Sequence, residues 1–284
     1  MRKKLLVLGA FVSVVMLVSC TGSKKEAVTY TPEEIADAGQ VVKYYDTSLA
    51  LLKNLVKERD VNAVLGYMEQ QAKVQMFSHI MSPVISKKDS VAVIQPGDYF
   101  GDDVRQNLIQ NYTELFQSRG QFYANFNKYL SLLKEKKTEG IADLLNDNYE
   151  LSVEMSECKQ NIFDILSPIV AQAQQVLLAE NPVKEQIIAM KKMSLTMQSI
   201  INLYARKHVE DKARLDLKIV ELRLQLDAAE KLPAVKGHEE QTEKFKDFLS
   251  KTEEFMKIVQ DIRQKNSYTE EDFDDISSYG LSII

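Results

Sequence analysis

Residues 214–226 read "RLDLKIVELRLQL", and the reading of this stretch decides the fold. Polar and apolar letters nearly alternate, as they do along a strand whose side chains face opposite sides in turn. Two features argue for a helix instead. The letters are chiefly Leu, Asp, Lys, Glu, Arg and Gln rather than the β-branched and aromatic types that suit a pleated surface. The stretch also lies in a run without glycine or proline, residues 183–232, far longer than a strand. On a helix, Leu215, Ile219, Leu222 and Leu226 form one apolar stripe, and Leu217, Val220 and Leu224 form a second. A helix with two stripes is predicted to pack between two neighbours. Residues 182–231 therefore read as one helix, or two abutting ones, spanning about 75 Å if straight.

The same pattern extends outward in both directions. Asn181-Pro182 opens this run by a cap followed by proline at the first helical position. Before it, residues 138–180 place Leu144, Leu151, Met155, Ile162 and Ile169 inward, and Pro168 is predicted to kink or split that helix. Asp102 restarts an earlier helix in which Leu108, Leu115, Phe122, Tyr129 and Leu133 recur at near-heptad spacing. Thr31-Pro32-Glu33-Glu34 signals the first helix, whose expected inward face is Ile35, Val42, Leu49, Leu52 and Val56, running to about Arg59. Asp60 is a candidate cap for a second, with Val64, Tyr67, Met68, Ala72 and Met76 inward. After a loop at residues 232–237, Phe245, Phe248, Leu249, Phe255, Ile258 and Ile262 mark a last long helix. The end combines acidic Glu270, Glu271, Asp272, Asp274 and Asp275 with apolar Leu281, Ile283 and Ile284. The fold class expected is all-α: an elongated antiparallel bundle with negligible β content and one loop of roughly 20 residues at 81–101. Residues 31–284 are read as one domain.

The first residues carry a different signal. Arg2, Lys3 and Lys4 precede an apolar run, residues 5–18, too short to cross a bilayer, so residues 1–19 read as a signal peptide. Leu17-Val18-Ser19-Cys20 resembles the bacterial lipobox. That resemblance implies removal of residues 1–19 and acylation of Cys20, with residues 20–30 as a short tether. Three acyl chains hold a membrane where one does so only marginally. Thr21 after the cysteine, rather than Asp, favours outer-membrane sorting, facing the periplasm or the cell surface. An ordinary secreted leader is the alternative. Losing residues 1–19 removes three basic and no acidic residues, taking the net charge from −5 to −8. An acidic chain lacks the basic footprint that nucleic acid requires.

The lipobox, the tether, tyrosine-rich early helices such as Val41-Val42-Lys43-Tyr44-Tyr45 and the all-helical remainder together resemble the YiiG-like family of envelope lipoproteins. The resemblance implies a helical fold and carries over no functional residue.

Searching for chemistry yields little. His79, His208 and His238 have no His or Cys at ligand spacing, and phosphate loops and nucleophile elbows are missing from the sequence. His238-Glu239-Glu240 reads as a solvated helix start. The acidic end lacks the ligand alternation of a calcium loop. Met190, Met193 and Met197 share a face that could hold Cu(I), but Ile187, Ile200 and Tyr204 continue it as a packing face. Phe116, Phe122, Tyr123, Phe126 and Tyr129 read as core. Cys158, with Met155 and Ile162 at helical spacing, reads as a buried thiol. No cofactor and no metal are expected.

The 81–101 segment is the local candidate for function. It holds Val91, Val93 and Ile94, and Asp89-Ser90-Val91 resembles a periplasmic O-glycosylation consensus of some Gram-negative bacteria. Ser90, Tyr99 and Phe100 are its candidate partner-binding residues. The leading expectation is a non-enzymatic binding or scaffold module anchored to the outer membrane, with an envelope protein or glycan as partner. The alternatives are a glycan-acting enzyme using carboxylates such as Glu69 or Asp102, and a carrier of an apolar ligand between splayed helices.

Overall fold

The computed structural model describes residues 29–70, 85–137, 139–204, 212–265 and 269–279. Among them every regular element is a helix and there is no strand, as the sequence predicts. Cys20, Ala72, Met76, His79, His208, Leu281, Ile283 and Ile284 lie outside the described residues.

Helix α1, Pro32–Leu55, begins as its sequence signals. The Glu34 amide donates to the Thr31 hydroxyl at 3.2 Å, the Thr31 amide donates to the Glu34 carboxylate at 2.7 Å, and Pro32 fills the first position. Its inward face differs from the expected one. Val41, Tyr44, Tyr45 and Leu52 are buried, whereas Ile35 is 46% exposed and Val42 and Leu49 are half-buried. The two tyrosines bury more surface than Ile35 and Val42 would, and they set the rotation of the helix. The chain then breaks at Val56 and resumes as α2, Glu58–Glu69, so Asp60 sits in the first turn rather than at the cap.

The segment expected as a 20-residue loop is largely a folded connector. Ser86 caps α3, Lys87–Ile94, by accepting from the Asp89 amide at 3.3 Å. Val93, Pro96 and Phe100 are buried. Helix α4, Asp102–Lys134, starts where predicted and buries Leu108, Leu115, Phe122 and Tyr129 completely. Gly140, at a φ of 79° that strains any side chain, turns the chain into α5, Ile141–Leu177. Pro168 neither ends nor splits α5. It lies on the solvent side, while Leu166 and Val170 around it are buried in one cluster, so packing carries the helix through the proline without a break.

Residue pairs give the helix directions. Phe122 meets Asn148 and Glu114 meets Cys158, so α4 and α5 are antiparallel. Tyr45 and Gln174 line one cleft, Val56 meets Lys159 and Glu69 meets Tyr149, so α1 and then α2 run antiparallel to α5. These helices enclose a first buried cluster, with Val93 and Phe100 of the connector inside it.

The second cluster belongs to α6, Lys184–Tyr204, α7, Lys212–Ala229, α8, Glu239–Gln264, and the short α9, Glu270–Ser277. The Asn181 side chain accepts from the Val183 amide at 3.0 Å near the predicted entry, but residues 182–183 form a turn and α6 begins at Lys184, so Pro182 precedes the helix rather than filling its first position. Asp216 pairs with Arg263, setting the start of α7 beside the end of α8. Phe245, Phe248, Phe255 and Ile262 of α8 are buried as expected, with Leu249 and Ile258 half-buried. Between the clusters, the Gln160 amide donates to the Ser199 hydroxyl at 2.7 Å, and Arg214 pairs with Asp164.

Candidate interaction surface

The two stripes of α7 have different fates. Leu215, Leu222 and Leu226 are buried in the second cluster, Leu222 and Leu226 completely. Leu217, Val220 and Leu224 are 70%, 57% and 64% exposed. The expectation that both stripes pack is therefore corrected. Helices α6 and α8 cover one side of α7, and the opposite side faces outward. The other large exposed apolar residues described, such as Ile35, Val91 and Leu177, stand singly on separate helices. Isolated residues of that kind are ordinary, whereas a contiguous row marks a contact surface.

Charged side chains frame the row. Arg214 pairs with Asp164, and Arg263 grips both oxygens of Asp216 at 2.8 Å each. That grip holds the Asp216 carboxyl below its usual range. Glu221 accepts from Lys218 at 2.8 Å and from Gln225 at 3.1 Å. The side chains next to the apolar row are thus held in place before any partner arrives, which lowers the ordering cost of binding.

The sequence candidates fall elsewhere. Phe100 is only 2% exposed and packs edge-on against Tyr44 at 5.0 Å. The Tyr44 hydroxyl donates to the Val93 carbonyl at 2.7 Å. Tyr99 is half-buried with its ring against Gly97, where an added β-carbon would have to displace the ring. Ser90 is half-buried, its hydroxyl turned back to the Ser86 carbonyl at 2.9 Å. The described part of the segment is thus a folded connector rather than an open loop, with Phe100 a packing residue beside Val93 and with Ser90 and Tyr99 half-buried. Glu69 is exposed and accepts from the Tyr149 hydroxyl, which burial, and then the Glu69 carboxylate, push up to about 12. Asp102 is exposed at the start of α4, 3.5 Å from Arg105. Met193 and Met197 are buried and Met190 is half-buried, all in the second cluster, as core. Burial, helped by the Glu114 charge, pushes the Cys158 thiol up to about 12 and leaves it inert. No group of three His, Cys, Asp or Glu among the described residues could hold a metal ion. A small cleft between α1, α5 and α6 is lined by apolar Val42 and Leu195 together with Tyr45, Asp46, Gln174 and Lys191.

Sequence reasoning missed two buried cations. Arg119 donates to the Leu55 carbonyl at 3.1 Å, and Lys159 donates to the Val56 carbonyl at 3.3 Å. Both carbonyls lie at the break between α1 and α2, where helical partners run out. The available signal was a cation on an apolar face, Lys159 between Met155 and Ile162, and Arg119 between Leu115 and Phe122.

A domain of unknown function, DUF6845, matches residues 32–180, and a DUF3829-like, C-terminal domain matches residues 182–284. Among solved structures, an alpha helical protein from Bacteroides fragilis NCTC 9343 is 52% identical with a TM-score of 0.84, the match covering 90% of this chain and 100% of that one. An uncharacterized DUF3829-like protein from Bacteroides thetaiotaomicron VPI-5482 is 49% identical with a TM-score of 0.78, covering 89% and 100%. No curated protein matches the chain.

Proposed function

Because this chain belongs to the DUF6845 family and shares the helical fold of DUF3829-like proteins, we propose that it is a non-enzymatic binding or scaffold lipoprotein of the outer membrane. The exposed row Leu217, Val220 and Leu224 carries the binding part of this reading, since an ordered helix that keeps three large apolar side chains in water offers a surface for another helix. The anchor rests on residues 1–20, whose basic start, apolar run and Leu17-Val18-Ser19-Cys20 fit lipid attachment. No described helix is long and apolar enough to cross a membrane, so attachment in this reading comes from acylation of Cys20. Likeness to the YiiG-like envelope lipoproteins supports the same reading.

Two measurements in intact cells test it. Cys20→Ala is expected to shift the protein out of the detergent-dependent membrane fraction or leave it as uncleaved precursor; an unchanged, cleaved, membrane-bound product would end the lipoprotein reading. A photo-crosslinker placed at Val220 is expected to give a discrete adduct that disappears in the Leu217→Lys, Leu224→Lys variant. An adduct pattern indifferent to those changes would remove the row from the binding function.

A further inference from the structure

The framing charges suggest what fits on this row, and the argument rests on the binding reading above. Ala213, Leu217, Val220 and Leu224 recur at alternating spacings of four and three residues, the seam of a two-stranded coiled coil. Ala213 is exposed along with the other three. Arg214 and Glu221 flank the seam on one side, and Asp216 and Arg223 on the other.

We propose that the row is the self-association surface of this protein, used by a second copy in antiparallel orientation. A two-fold axis between Leu217 and Val220 sets Leu217 against Val220 of the second copy and Ala213 against Leu224. In that register like-sided flanks meet. Arg214 faces the second copy's Glu221, and Asp216 faces its Arg223. Two-fold symmetry repeats each contact, so every close flanking pair joins opposite charges. A parallel pair in register would instead set Asp216 against Glu221 of the other copy, two like charges, and is disfavoured. The sequence of one helix is thus complementary to itself in one direction only.

The intramolecular partners do not forbid this. Beside their partners Asp164, Arg263 and Lys218, the side chains of Arg214, Asp216 and Glu221 keep exposures of 29%, 54% and 45%, and a carboxylate has acceptor sites for a second cation. Three large apolar residues per copy make a contact smaller than the roughly 1,200–2,000 Å² of a stable complex. The pair is accordingly weak in dilute solution and gains from high local concentration, such as shared tethering to one membrane.

The test uses the full chain in a Cys20→Ser background, with Cys158 kept because it is buried. Sedimentation is expected to show reversible dimers, weakened roughly tenfold or more in the Leu217→Lys, Leu224→Lys variant with its helical spectrum unchanged. Oxidising a mixture of Ala213→Cys and Leu224→Cys chains is expected to link the two kinds to each other, with little Leu224→Cys homodimer. Dominant Leu224→Cys homodimer would mean a parallel pair and overturn the proposal. A monomer at concentrations approaching about 1 mM, with no mixed disulfide, would also overturn it. In that case a persistent Val220 adduct to a different protein in cells would leave the binding reading standing, and loss of both would end the two together.

Discussion

The Lys159 ammonium lies 2.9 Å from the Glu58 carboxylate and 3.3 Å from the Val56 carbonyl, at the break between α1 and α2. With 9% and 13% of their side chains exposed, both charges are largely withdrawn from water. Removing one alone strands the other, so Lys159→Ala is expected to cost about 3 kcal/mol. The double change Lys159→Met, Glu58→Leu is expected to recover much of that loss, because an apolar pair carries no desolvation penalty. Urea unfolding of the parent and the two variants reads the difference. Equal losses for the single and double changes would mean that the packing of the lysine stem, not the charge pair, holds the junction.

Tyr44 and Val93 make the corresponding contact for the connector. Tyr44→Phe leaves the Val93 carbonyl without its partner and is expected to cost about 1–2 kcal/mol. Val93→Asp, which buries an unpaired carboxylate at a position with no exposure, is expected to cost about 3 kcal/mol. A melting temperature unmoved by Val93→Asp would show that the connector is detachable from the first cluster.

What the sequence made legible is local. Thr31, Pro32 and Glu34 announced α1 because capping is chemistry among neighbours, and the near-heptad run from Leu108 to Tyr129 announced the buried face of α4 because periodicity is a property of one helix. Partners of a face are not local. The spacing of Leu217, Val220 and Leu224 matches a packed stripe equally well whether the covering helix is in the same molecule or outside it. Glycine and proline made residues 81–101 read as a loop, yet Val93 and Phe100 are held by Tyr44, some fifty residues away, and no pattern within the segment reports that. Arg119 and Lys159 were hidden for the same reason: the carbonyls they satisfy belong to another helix.

Two leucines on α7 separate burial from sequence pattern. Leu222 has no exposure and Leu224 is 64% exposed, although they stand two residues apart. Leu222→Asp is expected to destabilise the second cluster by about 3 kcal/mol, whereas Leu224→Asp stays within about 0.5 kcal/mol of the parent. Thermal melting of the dilute proteins measures both. Comparable losses at the two positions would mean that the outer row is covered within the monomer.

Asp272 gives the fold a pH dependence at its acidic end. Its carboxylate accepts from the Lys265 ammonium at 2.6 Å and from the Thr269 amide at 2.8 Å, and these contacts, the lysine first, hold its carboxyl down at about 2. The unfolded group titrates near 3.9. Since the folded value is the lower one, the unfolded chain takes up the proton first as the pH falls. The stabilisation is therefore complete above about pH 4, declines through the interval and is gone below about 2. The capping box of α9 uses the same carboxylate, so acid acts first on the docking of α9. Tyr279 follows α9 and packs 5.7 Å from Phe255, which places a natural reporter at the junction. Hydrogen exchange at the α9 amides is expected to speed up between pH 4 and 2 relative to α8, after correction for the intrinsic rates. Asp272→Asn keeps the side chain's shape but removes the charge, and it is expected to show the faster exchange already at neutral pH and to lose the acid dependence. An acid dependence that survives Asp272→Asn would assign the effect to other carboxylates of α9 rather than to its pairing with Lys265.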